Sequence, residues 1–287
     1  MEREPEDSRR VRRYYDALAE GEWTRLTNSA RGRVSLEVHR RFLRRFVAPD
    51  ARVLEVGAGP GRFTLELAAL GARAVVTDVS AVQLALNEER LRGTLAEGQV
   101  ERRELLDVCD TSRYADGEFD AVVAFGGPLS YAFERTDEAM RGLLRIVRPD
   151  GIVVASVMSL LGTWRYFLGA ITDLDEQVGE TAGELVMRTG DMRHVVANPC
   201  EHVCQMFRWS DLEALLERTG SRAIAASASN WASLGDARAL ARLEADPARW
   251  ERFLAHEVTA CGEPGAVDGG THILFAAAPA NGEVVVR

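Results

Sequence analysis

Three glycines at alternate positions, Gly57, Gly59 and Gly61, follow directly on the apolar run Val53, Leu54 and Val56. A turn after a strand needs backbone angles closed to other residues, and a side chain there would hold a ligand off the main chain. The residues beyond it, with Phe63, Leu65, Leu67, Ala68 and Leu70 apolar, begin a helix whose first N–H groups face whatever lies in the turn. Carboxylates stand beside this arrangement at three places. Glu55 sits two positions before the first glycine, Asp78 closes the run Arg73-Ala74-Val75-Val76-Thr77-Asp78, and Asp107 closes Glu104-Leu105-Leu106-Asp107. An ionised carboxylate only accepts hydrogen bonds, so Asp78, 21 residues after Gly57, can take both hydroxyls of a ribose. The glycine spacing is G-x-G-x-G, and Arg62 stands where the dinucleotide fingerprint G-x-G-x-x-G has its third glycine.

These residues need a scaffold, and the hydrophobic periodicity supplies one. Strands are expected at 52–57, 73–78, 100–106, 119–125 and 152–157, with helices at 61–70, 80–92 and 136–147. Alternating strands and helices argue for a parallel sheet in a doubly wound α/β fold. Ser80 is the expected cap of the second of these helices; Met140, Leu143, Leu144 and Val147 form the inner stripe of the last, and Arg148-Pro149-Asp150-Gly151 reads as a turn. Ahead of this core, a frayed start over residues 1–8 gives way to a helix carrying Val11, Tyr14, Tyr15 and Leu18, which Gly21 should stop. A second helix carries Val34, Val38, Phe42 and Phe46 on one face, with Arg40, Arg41, Arg44 and Arg45 read as its solvated side. From Ser159 the alternation breaks for some forty residues. The stripe Leu160, Leu161, Trp164, Phe167, Leu168 and Ile171 should dock on the body, an acidic stretch from Asp173 to Glu180 should flex, and Leu185 to Ala197 reads as β-like. A capping box of Ser210 and Glu213 then opens a helix ending before Gly220, followed by strand 221–228, two short helices around Asp246-Pro247, and strand 271–278. The expected division is therefore an N-terminal helical segment at 1–48, a core at 49–158 and 207–287, and a lid or dimer segment inserted at 159–206.

Composition narrows the partners. The 287 residues are 46% hydrophobic, enough for a real core, and carry a net charge of −9, where a nucleic-acid binder would be basic. No apolar run approaches the roughly 20 residues of a membrane span, and Met1 to Arg13 is charged, unlike a signal peptide. Four irregularly spaced cysteines offer no disulfide framework, so a cytoplasmic location is expected.

The glycine spacing and the preceding acid together resemble motif I of the class I S-adenosylmethionine-dependent methyltransferases, small-molecule type, over about residues 50–158. The resemblance implies a Rossmann-like seven-stranded sheet whose last strand runs antiparallel between the fifth and sixth. It also implies S-adenosyl-L-methionine as cofactor, held by Glu55, Gly57, Gly59, Gly61, Asp78, Val79, Asp107, Val108, Phe125 and Gly126, with Asp78 on the ribose, Asp107 at the adenine amino group and the two valines flanking the ring. Amino-methylating DNA enzymes of this class carry an Asn/Asp-Pro-Pro-aromatic motif after the fourth strand, whereas this chain has Gly126-Gly127-Pro128-Leu129-Ser130-Tyr131. The acceptor is therefore expected to be a small molecule, with a natural-product intermediate as the leading idea. An aminopropyltransferase on the same cofactor fold is the alternative enzyme, and a silent S-adenosylmethionine-binding subunit the non-enzymatic one. The first would want an acid between Gly126 and Tyr131; the second would be expected to have lost a glycine or Asp78.

A base for the acceptor is sought among the five histidines. His202 follows the inserted segment where a pocket wall is expected, His194 shares that logic, and Tyr15, with Tyr14 and Trp23, lies on the N-terminal segment that lines acceptor pockets in related enzymes. His272, in an apolar strand, reads as a core residue. His194, Cys200, His202 and Cys204 match no common zinc spacing, and no metal is expected. A homodimer is a further expectation.

Overall fold

In the computed structural model, which describes residues 6–178, 180–195 and 202–282, a seven-stranded sheet is ordered β3-β2-β1-β4-β5-β7-β6. The strands are β1 (Arg52–Val56), β2 (Arg73–Asp78), β3 (Val100–Leu105), β4 (Phe119–Ala124), β5 (Val147–Met158), β6 (Ser221–Ala228) and β7 (His272–Pro279). β1 to β5 pair in parallel, while β7 runs antiparallel to both β5 and β6. Strand side chains alternate between two buried faces, as a doubly covered sheet requires. Val53, Val123, Val154 and Ala276 face one core with α3 (Ala30–Arg44), α4 (Arg62–Ala69), α5 (Ala81–Leu91), α11 (Ala237–Glu244) and α12 (Pro247–Cys261). Leu54, Val122, Val153 and Phe275 face the other, with α6 (Thr136–Ile146) and α10 (Trp209–Arg218). The strand order reverses between β1 and β4, so the turns after these two strands diverge and leave a crevice at their carboxyl ends.

The fold class and every expected strand of the core stand within two residues at each end, except at β5. There Arg148-Pro149-Asp150-Gly151 is not a separate turn: β5 begins at Val147, opposite Phe119, and its next partner is Ile152 opposite Ala121. The four residues form a bulge inside the strand, with Arg148 paired to Asp120 at 2.6 Å. Two other boundaries move for local reasons. α1 (Glu6–Leu18) ends before Gly21, because Ala19 takes φ 41° and Gln83 Nε2 donates to the carbonyls of Tyr15 and Ala19; Gly21 then lies inside α2 (Glu20–Arg25). α10 is capped by Arg208 and Asp211, whose carboxylate accepts from the Arg208 N–H at 2.9 Å, rather than by Ser210 and Glu213. Beyond Asp246-Pro247 the chain forms one long helix, α12, rather than a short one.

The inserted segment is helical: α7 (Leu160–Tyr166), α8 (Leu168–Val178) and α9 (Glu180–Thr189). The β-like reading of 185–197 fails because Leu185 to Thr189 complete α9 and Met192 to His194 form a single 3₁₀ turn; residues 196–197 lie outside the described residues. Of the apolar stripe only Leu160 is buried, against Cys204 and Met206, whereas Leu161, Trp164, Phe167 and Leu168 are exposed. α7 is instead anchored through polar contacts, Arg31 Nη1 on Tyr166 Oη at 2.7 Å and Arg165 Nη2 on the Gly269 carbonyl at 2.7 Å. The arginines on α3 pair with acids, Arg40 with Glu66 at 2.6 Å and Arg41 with Glu37 at 2.7 Å.

α1 and α2 lie across the crevice. Trp23 is held between two guanidinium groups, with Arg62 3.7 Å and Arg90 4.6 Å from its ring centroid, and its carbonyl accepts from Arg62 Nη2 at 2.7 Å. Ser80 Oγ donates to Asp16, and Glu20 pairs with Arg90. Since each cation–π contact contributes about 0.5–2 kcal/mol, Trp23→Ala should speed amide exchange over residues 15–25 by about tenfold or more while β1 keeps its protection. Hydrogen-exchange mass spectrometry reads both segments at once.

Candidate active site

The glycine turn forms the floor of the crevice, and its three glycines do different work. Gly59, at φ 53°, gives its N–H to Asp78 Oδ2 at 2.8 Å, and a Cβ there would stand in the cleft, 3.6 Å from Glu22 Cγ. Gly61, at φ 98°, faces away from the cleft: a Cβ would strike Asn87 Nδ2 and Leu91 Cδ1 at 2.9 Å, so this glycine lets α4 and α5 close on each other. Gly57 packs against Pro128 of the loop after β4. Of the three, Gly57 and Gly59 border the crevice and Gly61 does not.

Asp78 is fixed from two sides, with Oδ2 on Gly59 N–H and Oδ1 accepting from Ser80 N–H at 2.9 Å. Burial raises its carboxyl to about 6, against the pull of these backbone donors. Asp107 accepts from Cys109 N–H at 2.9 Å and from Ser8 Oγ at 3.1 Å, which ties α1 to the end of β3. Val79, Val108, Phe125 and Gly126 also border the crevice, and Gly126 N–H donates to Ser156 Oγ at 3.0 Å. Glu55 does not. It is 2% exposed beneath the turn, where its Oε2 accepts from Thr64 Oγ1 at 2.6 Å, and Thr64 in turn accepts from Asn87 Nδ2 at 2.9 Å. The glutamate therefore braces α4 and α5 from below.

The crevice holds about 950 Å³ of space between atoms, counting the part that is open to solvent. Its open Cβ position at Gly59, the carboxylate of Asp78 and the apolar walls of Val79 and Val108 fit the adenosine and methionine parts of S-adenosylmethionine. The outer end is made by α1, α2 and the loop after β4, through Tyr15, Glu22, Arg25, Leu26 and Tyr131. Of these only Tyr15 was legible in the sequence. Arg25 holds Glu22 through Nε at 2.8 Å and Nη2 at 2.7 Å. Its side chain is walled by protein yet keeps 39% exposure, because it faces the crevice. A surface-looking i,i+3 pair on a six-residue helix gave no signal of this.

The candidate bases separate. Tyr15 Oη and Tyr131 Oη are 2.6 Å apart, and Tyr131 Oη lies 2.9 Å from His202 Nε2. Tyr14 packs on the His202 ring with centroids 4.8 Å apart, and Trp23 turns away into its arginine clamp. His194 stands half-buried on the turn after α9, beside Asp191, and does not border the crevice. His39 is buried between Ser35 O, which its Nδ1 meets at 2.8 Å, and Phe125; burial lowers it to about 4. Cys204 Sγ meets Met192 Sδ, and Cys200 lies outside the described residues. No residue of 159–195 borders the crevice, so among the described residues the covering elements are α1 and α2.

A seven-stranded sheet of this order with an acid-flanked glycine turn at its switch point defines a class of fold. Within it, residues 53–151 match the family of methyltransferase domains. The chain is similar to the demethylmenaquinone methyltransferase of Beutenbergia cavernae, 34% identical over 117 residues, and to the magnesium-protoporphyrin O-methyltransferase of Rhodobacter capsulatus, 32% identical over 133. These alignments take in 39% and 42% of this chain and 42% and 57% of those proteins, so the chain spans about half the length of the curated relatives it matches. An S-adenosylmethionine-dependent methyltransferase of Mesorhizobium loti shares the fold at a TM-score of 0.56 and 16% identity, over 88% of this chain and 99% of that one.

Burial and the nearby Asp78 push the Glu55 carboxyl up to about 8 from its ordinary 4.5, against the hydrogen bond from Thr64. A raised acid favours the folded state while protonated and penalises it once charged, so this contribution is full below about pH 4.5 and is lost as pH climbs through about 8. Glu55→Gln, which imitates the protonated form, should therefore melt above the parent at pH 9 and close to it at pH 5. Thermal unfolding across that range is the measurement.

Proposed function

We propose that the protein transfers a methyl group from S-adenosylmethionine to a small-molecule acceptor. The observation that carries this is Asp78, aimed into the crevice and pinned by the Gly59 and Ser80 N–H groups, in a domain whose family implies that donor. Asp78 takes the ribose hydroxyls and Asp107 the adenine amino group, while Val79 and Val108 flank the ring. Gly59 gives its space to the methionine part, and Phe125 and Gly126 close the inner wall. Glu55 and Gly61 serve from behind by holding α4 and α5. Bound there, the sulfonium supplies an already activated methyl group. What the chain must add is alignment of the acceptor, worth up to about 7–11 kcal/mol in the best geometry, and exclusion of water by α1 and α2.

The relatives' names put a small molecule in the acceptor role, in one case methylated at oxygen. The aromatic wall of Phe63, Phe125, Tyr15 and Tyr131 suits a ring-bearing natural-product intermediate. The net charge of −9 disfavours nucleic acid. Among the described residues no helix is long and apolar enough to cross a membrane, and a cytoplasmic setting fits three buried free thiols. The exposed face of Leu161, Trp164, Phe167 and Leu168 is the surface on which a homodimer would form, so of the two readings of the inserted segment the dimer element is the one favoured here.

Asp78→Ala should weaken S-adenosylhomocysteine binding by about 1.5–3 kcal/mol through loss of charge-assisted hydrogen bonds, and Gly59→Val should abolish binding in a folded chain. Isothermal titration with circular dichroism in parallel checks both. Unchanged affinity in Asp78→Ala would remove that carboxylate from the site.

A further inference from the structure

The methyltransferase reading leaves one arrangement unused. Tyr15, Tyr131 and His202 come from three separate parts of the chain and form a continuous hydrogen-bonded row, with steps of 2.6 Å and 2.9 Å. Its first two members border the crevice; His202 lies behind them, next to a small second cavity that it shares with Arg10, Tyr14 and Val203. Beside the two phenols sits Arg25. Its Nε and Nη2 are taken by Glu22, while Nη1 donates to no protein atom among the described residues.

We propose that Tyr15, Tyr131 and His202 form a proton relay that strips a hydroxyl acceptor, a phenol or an enol, of its proton, and that Arg25 faces the oxygen left behind. This rests on the methyltransferase reading. The acceptor's O–H bond breaks and its proton passes to Tyr15 Oη; the Tyr15 proton passes to Tyr131 Oη, and the Tyr131 proton to His202 Nε2. The acceptor oxygen keeps the electron pair with which it bonds to the methyl carbon. The positive charge lost when the sulfonium becomes a thioether reappears on His202, so charge balances with no further reactant.

Three considerations favour a hydroxyl. An aromatic amine attacks with a lone pair it already has and sheds its proton afterwards, an aliphatic amine arrives as a cation that Arg25 would repel, and a carboxylic acid is ionised at neutral pH without help. A phenol or enol is the acceptor that needs its proton removed as it reacts. Both tyrosines are held un-ionised by burial, so they pass protons and do not compete as phenolates. His202 is kept unprotonated, first by burial and then by the cations Arg25 and Arg10, with Glu22 opposing them. The groups facing it are Arg10 and Tyr14 from α1, Glu22 and Arg25 from α2, Tyr131 from the loop after β4 and His272 from β7. Tyr131 is the link that matters, since it alone joins the crevice to the base.

The test uses 4-nitrophenol, whose phenolate absorbs visible light, added to the full chain saturated with S-adenosylhomocysteine. The relay requires saturable binding and, at pH 6, a bound phenolate fraction several-fold above that of the free probe. Tyr131→Phe keeps the ring but breaks the row, and it should bring that fraction back to that of the free probe while leaving S-adenosylhomocysteine affinity and circular dichroism unchanged. His202→Gln should do the same, and Arg25→Gln should lose part of the effect. A bound probe that ionises as it does in water, a Tyr131→Phe variant that keeps the full fraction, or no saturable binding of the phenol overturns the relay while S-adenosylhomocysteine binding leaves the methyltransferase reading standing. A chain that fails to bind S-adenosylhomocysteine overturns that reading, and the relay with it.

Discussion

The structure depends on the point where the sheet changes direction, between β1 and β4. Strands β2 and β3 continue outward on one side of β1, while β5, β7 and β6 continue on the other. Helices therefore leave the two central strands toward opposite faces, and nothing in the sheet itself fills the space above their carboxyl ends. The glycine turn lies beneath that space, and its Gly59 N–H donates to Asp78. That bond couples the turn after β1 to the end of β2, so the floor of the crevice and the carboxylate at its side hold one geometry.

Rigidity below the floor comes from a polar network. Glu55, Thr64 and Asn87 form a buried row in which each hydrogen bond orients the next, and Arg103 Nε reaches Asn87 Oδ1 at 2.9 Å to complete it. Buried polar groups on this scale are tolerated because they are satisfied. They sit where α4 and α5 approach closely over Gly61. The strand that begins the motif thus carries an acid whose task is support.

Above the floor, the cover is the N-terminal segment. Its polar contacts fall on the elements that bound the crevice: Ser8 on Asp107, Asp16 on Ser80, the carbonyls of Tyr15 and Ala19 on Gln83, and Trp23 between Arg62 and Arg90. The long insertion after β5 stands apart from the crevice and reaches it only through its last residues, where His202 meets Tyr131. It leaves an apolar face in solvent instead of laying one on the body. The N-terminal cover and His202 thus come from distant parts of the chain and meet at Tyr131, in the loop after β4.

The sequence by itself determined the doubly wound core, because period-two apolar runs separated by period-3.6 runs admit few other arrangements. It also placed Gly57, Gly59, Asp78, Val79, Asp107 and Val108 together, since they lie within three residues of the strand ends that bring them to the crevice, and local patterning places strand ends well. The tertiary structure alone decided which glycine faces the crevice and which faces a neighbouring helix, because that depends on Asn87 and Leu91 arriving from α5. It alone set Glu55 beneath the turn, separated His202 from His194, and drew Arg25 and Tyr131 to the outer end. Those side chains lie on a six-residue helix, a 3₁₀ turn and the end of an irregular insertion, where no periodicity states which way a side chain points. The hydrogen-bond partners of Tyr131 are 116 and 71 residues away along the chain, and only the closing of the fold brings them within reach.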